Sequence, residues 1–274
     1  MGGFGNQLFQ LCFAKNLKTK GHKVFIDMSN YKLGDKNSEI LLREPILPIS
    51  NFGFKKVNLI LKYIIRFSDI FRNNKFRNYN FFPVKKYTDK NDLTENEALI
   101  NYYVGYWQDL NTITENKKFL KECLSSNEII NLGLTTKPPK GSTLLHVRRN
   151  DYVHMKEDLK LSFFENAIDY TREKVGSFYF DVFTDDIEWV NSNKIFSEAK
   201  NIFFSSNSKE DTIETFAEML KYENYIISNS TFSLIAASIK EDSNSIIIAP
   251  QPWFRNSDKE VNLKKEWVKL DNNE

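Results

Sequence analysis

The sequence predicts an α/β protein in two halves, the second built on a parallel sheet wrapped by helices. Three observations predict it. From residue 142 onward, short aliphatic or β-branched runs alternate with amphipathic stretches, the pattern of strand–helix–strand units. A break, "TTKPPKGS" (135–142), precedes that alternation and carries two prolines, a glycine and two lysines. Residues 1–135 are uneven by comparison and open on a glycine-rich turn that runs straight into a helix-like segment. At 274 residues, 41% hydrophobic and 27% charged, the chain fits one large α/β domain or two smaller ones.

Taken in order, "NQLFQLCFAKNLKTKG" (6–21) has helical periodicity, ends in basic residues and stops at Gly21, a C-cap. "HKVFIDMS" follows as a strand. Residues 52–90 hold ten Lys or Arg against only Asp69 and Asp89, interleaved with Phe67, Phe71, Phe76, Tyr79 and Phe81. After the break, "TLLHV" is a strand, and "LSFFENAIDYTREK" is a helix with Ser162 and Glu165 in capping-box spacing. "SFYFDVFT" is a strand and "DDIEWVNSN" starts a helix. "NIFF" is a strand, and "SKEDTIETFAEMLK" is an amphipathic helix. "ENYIISN" is a strand, "STFSLIAASIK" a helix, and "SIIIAP" the final strand. No internal repeat or low-complexity segment interrupts them.

Composition excludes several classes. The formal net charge of +2 points to no particular partner. Cys12 and Cys123 cannot form a disulfide framework, no zinc-type spacing is present, and a reduced, cytosolic setting is expected. No secretory leader pattern opens the chain. The longest apolar stretch, "VNLILKYIIRF" (57–67), is interrupted by Lys62 and Arg66 and is too short to span a bilayer. There is no Walker loop, no G-x-S-x-G and no Asp-x-Asp pair. Three histidines are too few and too scattered for a metal cluster.

Ligands in open parallel sheets bind at the carboxyl ends of the strands, and three strand ends here are polar. The first delivers Arg148, Arg149 and Asp151, the second Asp185 and Asp186, the third Asn229, Ser230, Thr231 and Ser233. Guanidinium groups clamp phosphate oxygens, and a hydroxyl-rich helix start adds N–H groups and positive dipole. A carboxylate can take the paired donors of a guanine edge or a ribose hydroxyl. The set suits a nucleoside diphosphate. Each piece alone has a plainer role: the arginines a solvated face, "TDD" a helix N-cap, "NST" an unused sequon, His146 a satisfied core histidine.

"GGFGNQLFQ" (2–10), "GYWQDL" (105–110), "HVRRNDYV" (146–153), "FTDDIEWV" (183–190), "SNSTFSLIAA" (228–237) and "IAPQPWF" (248–254) together resemble, in order, the signature blocks of the bacterial α-1,2-fucosyltransferases of glycosyltransferase family 11. The resemblance covers essentially the whole chain and implies a GT-B-like arrangement, two Rossmann-like domains facing across a cleft. The acceptor-side domain would be 1–138 and the GDP-fucose-binding domain 139–274. Arg148, Arg149 and Asp151 would be catalytic, with Asp151 as base or as the orienting partner of Arg149. His146, Asp185, Asp186, Asn229, Ser230, Thr231 and Ser233 would join the arginines in donor binding. Gly3, Gly5, Asn6 and Gln7 would close the cleft. Family members carry a short hydrophobic strand ahead of the glycine block, whereas Met1 directly precedes it here; a start further upstream, or another segment in that slot, is expected.

The reaction implied is inverting transfer of L-fucose from GDP-β-L-fucose to the 2-hydroxyl of a terminal galactose in a surface glycan or lipopolysaccharide O-antigen. Arginine, with no metal and no other cofactor, would neutralise the departing diphosphate. The alternatives are a catalytically silent sugar-nucleotide or glycan-binding domain and a fucosyltransferase of another linkage. Residues 52–90 lack any nucleic-acid-binding motif. Their expected role is acceptor-side helices or peripheral contact with the cytoplasmic face of the inner membrane.

Overall fold

The computed structural model describes residues 2–28, 45–73, 84–88, 98–206, 208–256 and 261–273. The first helix, α1 (Phe4–Thr19), ends as its sequence predicts. Gly21 has φ +91°, its N–H reaches the Lys18 carbonyl and the His22 N–H the Leu17 carbonyl, the paired bonds of a Schellman cap. In the first half β1 (Phe25–Ile26) pairs in parallel with β2 (Lys55–Lys56), and β3 (Val84–Thr88) with β4 (Ile100–Val104). Helix α2 (Leu59–Asn73) lies between the two pairs in sequence. Short helices α3 (Leu110–Glu115), α4 (Lys117–Leu124) and α5 (Glu128–Thr135) lead to the break. Of the aromatics interleaved in 52–90, Phe76, Tyr79, Phe81 and the side chain of Phe71 lie outside the described residues.

The second half holds six parallel strands: β5 (Ser142–Val147), β6 (Tyr179–Thr184), β7 (Ile202–Phe204), β8 (Asn224–Ile226), β9 (Ile247–Gln251) and β10 (Val268–Asp271). They lie in the order β10-β9-β8-β5-β6-β7. Counted within this half that order is 6-5-4-1-2-3, the doubly wound pattern, whose switch point falls between β5 and β8. Helices α6 (Asn150–Met155), α7 (Leu161–Lys174), α8 (Ile187–Ser192), α9 (Lys209–Met219) and α10 (Thr231–Lys240) connect them. The expected "final strand" 245–250 is followed by one more, β10, at the sheet edge. The expected capping box is absent: α7 starts after Lys160, which places Ser162 inside the first turn.

Every β5 residue is buried because helices cover both faces of the sheet. Alternate residues feed two cores. Leu145, Val147, Phe180, Val182, Ile226 and Ile248 pack with Phe163 and Phe164 of α7. Leu144, Phe183, Tyr225 and Ile247 join a larger cluster that runs through α10 into Leu8, Phe9 and Cys12 of α1 and Leu120 and Leu124 of α4. Phe4 meets Phe216 edge-on at 5.0 Å. Helix α5 sits directly on α9, with the Gly133 backbone so close that a Cβ there would lie 2.2 Å from the Ala217 carbonyl oxygen. The break at 136–141 therefore separates two stretches of sequence that share one core.

Candidate functional site

The site gathers where β5 and β8 end side by side. Arg148, Arg149 and Asp151 follow β5 and Ser228 to Thr231 follow β8, so the switch point places them together. A third element arrives from the first half. The N-terminus of α1 abuts that of α10: a Cβ on Gly5 would lie 2.5 Å from the Thr231 carbonyl carbon and oxygen, so only glycine permits this approach. Asn6 locks the contact, its Oδ1 accepting from Thr231 Oγ1 at 3.1 Å and from Gln108 Nε2 at 2.7 Å. Gln7 is buried; its Nε2 donates to the Gly2 carbonyl and its Oε1 accepts from the Ile46 N–H, both at 3.0 Å. Gln10 Nε2 donates to the Gly105 carbonyl at 2.7 Å. The glycine block thus fastens the "GYWQDL" segment to α10; Gly3 is the residue before α1.

The two arginines diverge. Arg149 turns towards α8: Nε donates to Asp186 at 3.0 Å, Nη1 to Asp158 at 2.8 Å, and its guanidinium lies 4.2 Å over Trp189. Arg148 contacts Asp151 through Nη2 at 2.7 Å and Asp185 through Nη1 at 2.9 Å, and stands 5.8 Å over Tyr152. The Tyr152 hydroxyl donates to the Asn229 carbonyl just before α10, at 3.1 Å. Asp151 therefore pairs with Arg148, not with Arg149 as its orienting role was expected to have it.

Asp185 and Asp186 are committed inward. Asp185 accepts from the Arg149 N–H at 2.8 Å, and burial raises its carboxyl above the ordinary value against the pull of Arg148. Asp186 caps α8, accepting from the Trp189 N–H at 3.0 Å, so the helix-cap reading of "TDD" and a charged role coexist in one side chain. His146 is buried with Nδ1 2.8 Å from both Ser228 Oγ and Ser233 Oγ. Burial, and secondarily Arg148, push its pKa down to about 3, so it is a neutral hub holding the start of α10. Asn229, wholly buried, donates to the Glu157 carbonyl at 2.7 Å. Ser230 is the N-cap residue of α10.

The pattern reading missed a second ring. Glu157 is buried and accepts from the Arg255 and Asn256 N–H groups at 2.7 and 2.9 Å, while Arg255 donates to the Asp158 carbonyl at 2.6 Å. Its one visible signal is "KED", a few residues beyond the arginine block. Among the described residues no group of histidine, cysteine and carboxylates has the arrangement of a metal site. What the arrangement offers an incoming anion is two helix N-termini in contact and one guanidinium beside them.

Residues 42–271 match the model of the family described as Glycosyl transferase family 11. An alpha-1,2-colitosyltransferase from Escherichia coli is 28% identical over 300 residues, covering 98% of this chain and 97% of its own. The O-antigen biosynthesis glycosyltransferase WbnK from Escherichia coli is 26% identical over 303 residues, covering 98% of each. No solved structure matches.

Proposed function

The chain belongs to glycosyltransferase family 11, and on that premise we propose that it transfers L-fucose, with inversion, from GDP-β-L-fucose to the 2-hydroxyl of a terminal galactose in a lipopolysaccharide O-antigen or related surface glycan. The observation that carries the reading is the meeting of the α10 N-terminus, the α1 N-terminus and Arg148 at the switch point of the sheet. That is where a nucleotide-sugar diphosphate finds N–H groups, positive dipole and a guanidinium together. Glycosyl transfer then needs little covalent help from the protein. The acceptor oxygen attacks C1 of the sugar opposite the diphosphate, the C1–O bond to phosphate breaks, and negative charge grows on GDP. Donors aimed at that charge stabilise the transition state more than the ground state.

Both guanidinium groups face carboxylates, so a diphosphate has to displace one. Asp151 is the partner able to give way, because its side chain is 46% exposed against 3%, 25% and 29% for Asp185, Asp158 and Asp186. Once Arg148 turns to phosphate, the Asp151 carboxylate is released from its ion pair and takes the proton of the attacking hydroxyl. Thr231, Ser230 and the first turn of α10 hold the diphosphate. His146, Ser233 and Asn229 hold α10, and Arg149 and Asp186 keep the strand end rigid.

The colitosyltransferase relative favours one alternative donor, since colitose is the 3-deoxy counterpart of L-fucose. The deciding experiment offers GDP-fucose and GDP-colitose separately, with a panel of β-galactosides, in excess EDTA, and reads GDP release and product linkage. The proposal expects a 2-linked fucosyl product under chelation. Transfer of colitose alone would replace the donor, loss of activity restored by Mg²⁺ would remove the arginine account, and no turnover of either would refute the reaction.

A further inference from the structure

Helix α2 presents a surface that glycosyl transfer does not use. Asn58 starts the helix, its Oδ1 accepting from the Leu61 N–H at 2.8 Å. Ile65 and Ser68 are buried, and α2 packs on β3. The outer side carries Leu59, Ile60 and Tyr63, which are 70%, 72% and 69% exposed, and Ile64 at 36%. Leu59 and Tyr63 form one i, i+4 row and Ile60 and Ile64 the adjoining one, so the four make a continuous apolar stripe. Single exposed apolar residues are ordinary, but a contiguous stripe on a charged protein marks a contact surface.

The surrounding charge says what it contacts. Between Lys55 and Ser68 stand four cations, Lys55, Lys56, Lys62 and Arg66, and no acidic residue. Lys55, Lys56 and Arg66 are exposed, and Lys62 and Arg66 form an i, i+4 row along one border of the stripe. A second copy of this face would bring the same cations together and repel. An anionic bilayer accepts both parts at once: the stripe enters the acyl boundary while the cations reach lipid phosphates. No helix among the described residues is long and apolar enough to cross a membrane.

We propose that α2 is an interfacial helix that lies in the plane of an anionic phospholipid bilayer and attaches the enzyme there reversibly. The inference does not depend on which sugar is transferred. Its test is co-sedimentation of the full-length protein with vesicles of phosphatidylcholine alone and of phosphatidylcholine mixed with phosphatidylglycerol, with turnover of a soluble β-galactoside followed in parallel. The protein should bind the mixed vesicles, release with rising salt, and bind neutral vesicles weakly. Ile60→Ser with Ile64→Ser, and separately Lys55→Glu with Lys56→Glu, should each weaken binding about tenfold or more. Soluble turnover should stay unchanged, which separates lost attachment from lost folding. Binding unaffected by either pair, equal binding to both vesicle types, or a dimer that only the serine pair dissociates would overturn the proposal. Absence of soluble turnover in the unaltered protein would count against the proposed reaction and leave the vesicle result readable.

Discussion

Arg148 and Arg149 are neighbours in sequence but differ in task. Arg149 is held by Asp186, Asp158 and the face of Trp189, so its planar fork fixes the strand end to α8. Arg149→Lys should leave the chain folded yet cut turnover sharply, because an ammonium cannot span both carboxylates. Arg148→Ala removes the guanidinium proposed to meet the leaving group and should cost about a hundred- to a thousandfold in kcat. Near-normal steady-state kinetics for either variant would contradict these roles. His146 gives a different readout. The folded state keeps its imidazole at a pKa of about 3, below the ordinary 6.5. Its contribution to stability is therefore complete above the unfolded value and is lost as pH falls towards the folded one. Melting temperatures measured from neutral pH downward should fall less steeply in His146→Gln than in the parent. An unchanged slope would show that the buried ring does not drive acid sensitivity. The sequence exposed the arginine block and three of its partners, Asp151, Asp185 and Asp186, but neither Asp158 nor the ring around Glu157. Asp158 and Glu157 lie beyond the motif, and Glu157 reaches residues 98 and 99 positions away, a separation that no local pattern encodes.

At the scale of elements, two glycines mark contacts with different consequences. Gly133 lets α5 meet α9, and Gly5 lets α1 meet α10. Gly133→Ala forces a Cβ against the Ala217 carbonyl and should destabilise the fold by about 1–3 kcal/mol. Its kcat/KM should change little, because the contact lies away from the strand ends. Gly5→Ala should destabilise comparably and also lower kcat/KM, since it pushes apart the helix starts proposed to hold the diphosphate. Denaturant titration with parallel kinetics separates the two, and equal kinetic damage from both would refute the distinction. The alternation of strands and helices from β5 to β9 was legible because each strand is a buried apolar run between amphipathic helices. β10 was not, because "VKLD" is a four-residue edge strand in which polar residues alternate with apolar ones. Ser162 and Glu165 have capping-box spacing, but the Lys160 backbone already starts the turn, so Ser162 stands inside it rather than at the cap.

Over the whole molecule, the large apolar cluster joins α1 and α4 to α10 and the sheet. Residues 139–274 expressed alone would expose the faces of α9 and α10 that α5 and α1 cover. The full chain should unfold in one cooperative step by circular dichroism and tryptophan fluorescence together, and the isolated 139–274 segment should show no cooperative transition. A sharp melt in the segment would show two independently folding halves. The contact between Asn6 and Thr231 spans 225 positions, which gives this arrangement a consequence during synthesis. The ribosome makes α1 long before its partner α10. Until α10 emerges the apolar side of α1 can meet α3 and α4 but not the helix that joins it to the sheet, and closing so long a loop is slow. The nascent protein must carry that apolar helix half covered over the 225 positions that separate Asn6 from Thr231, so its yield should depend on whatever shields the remaining face of α1 until α10 emerges.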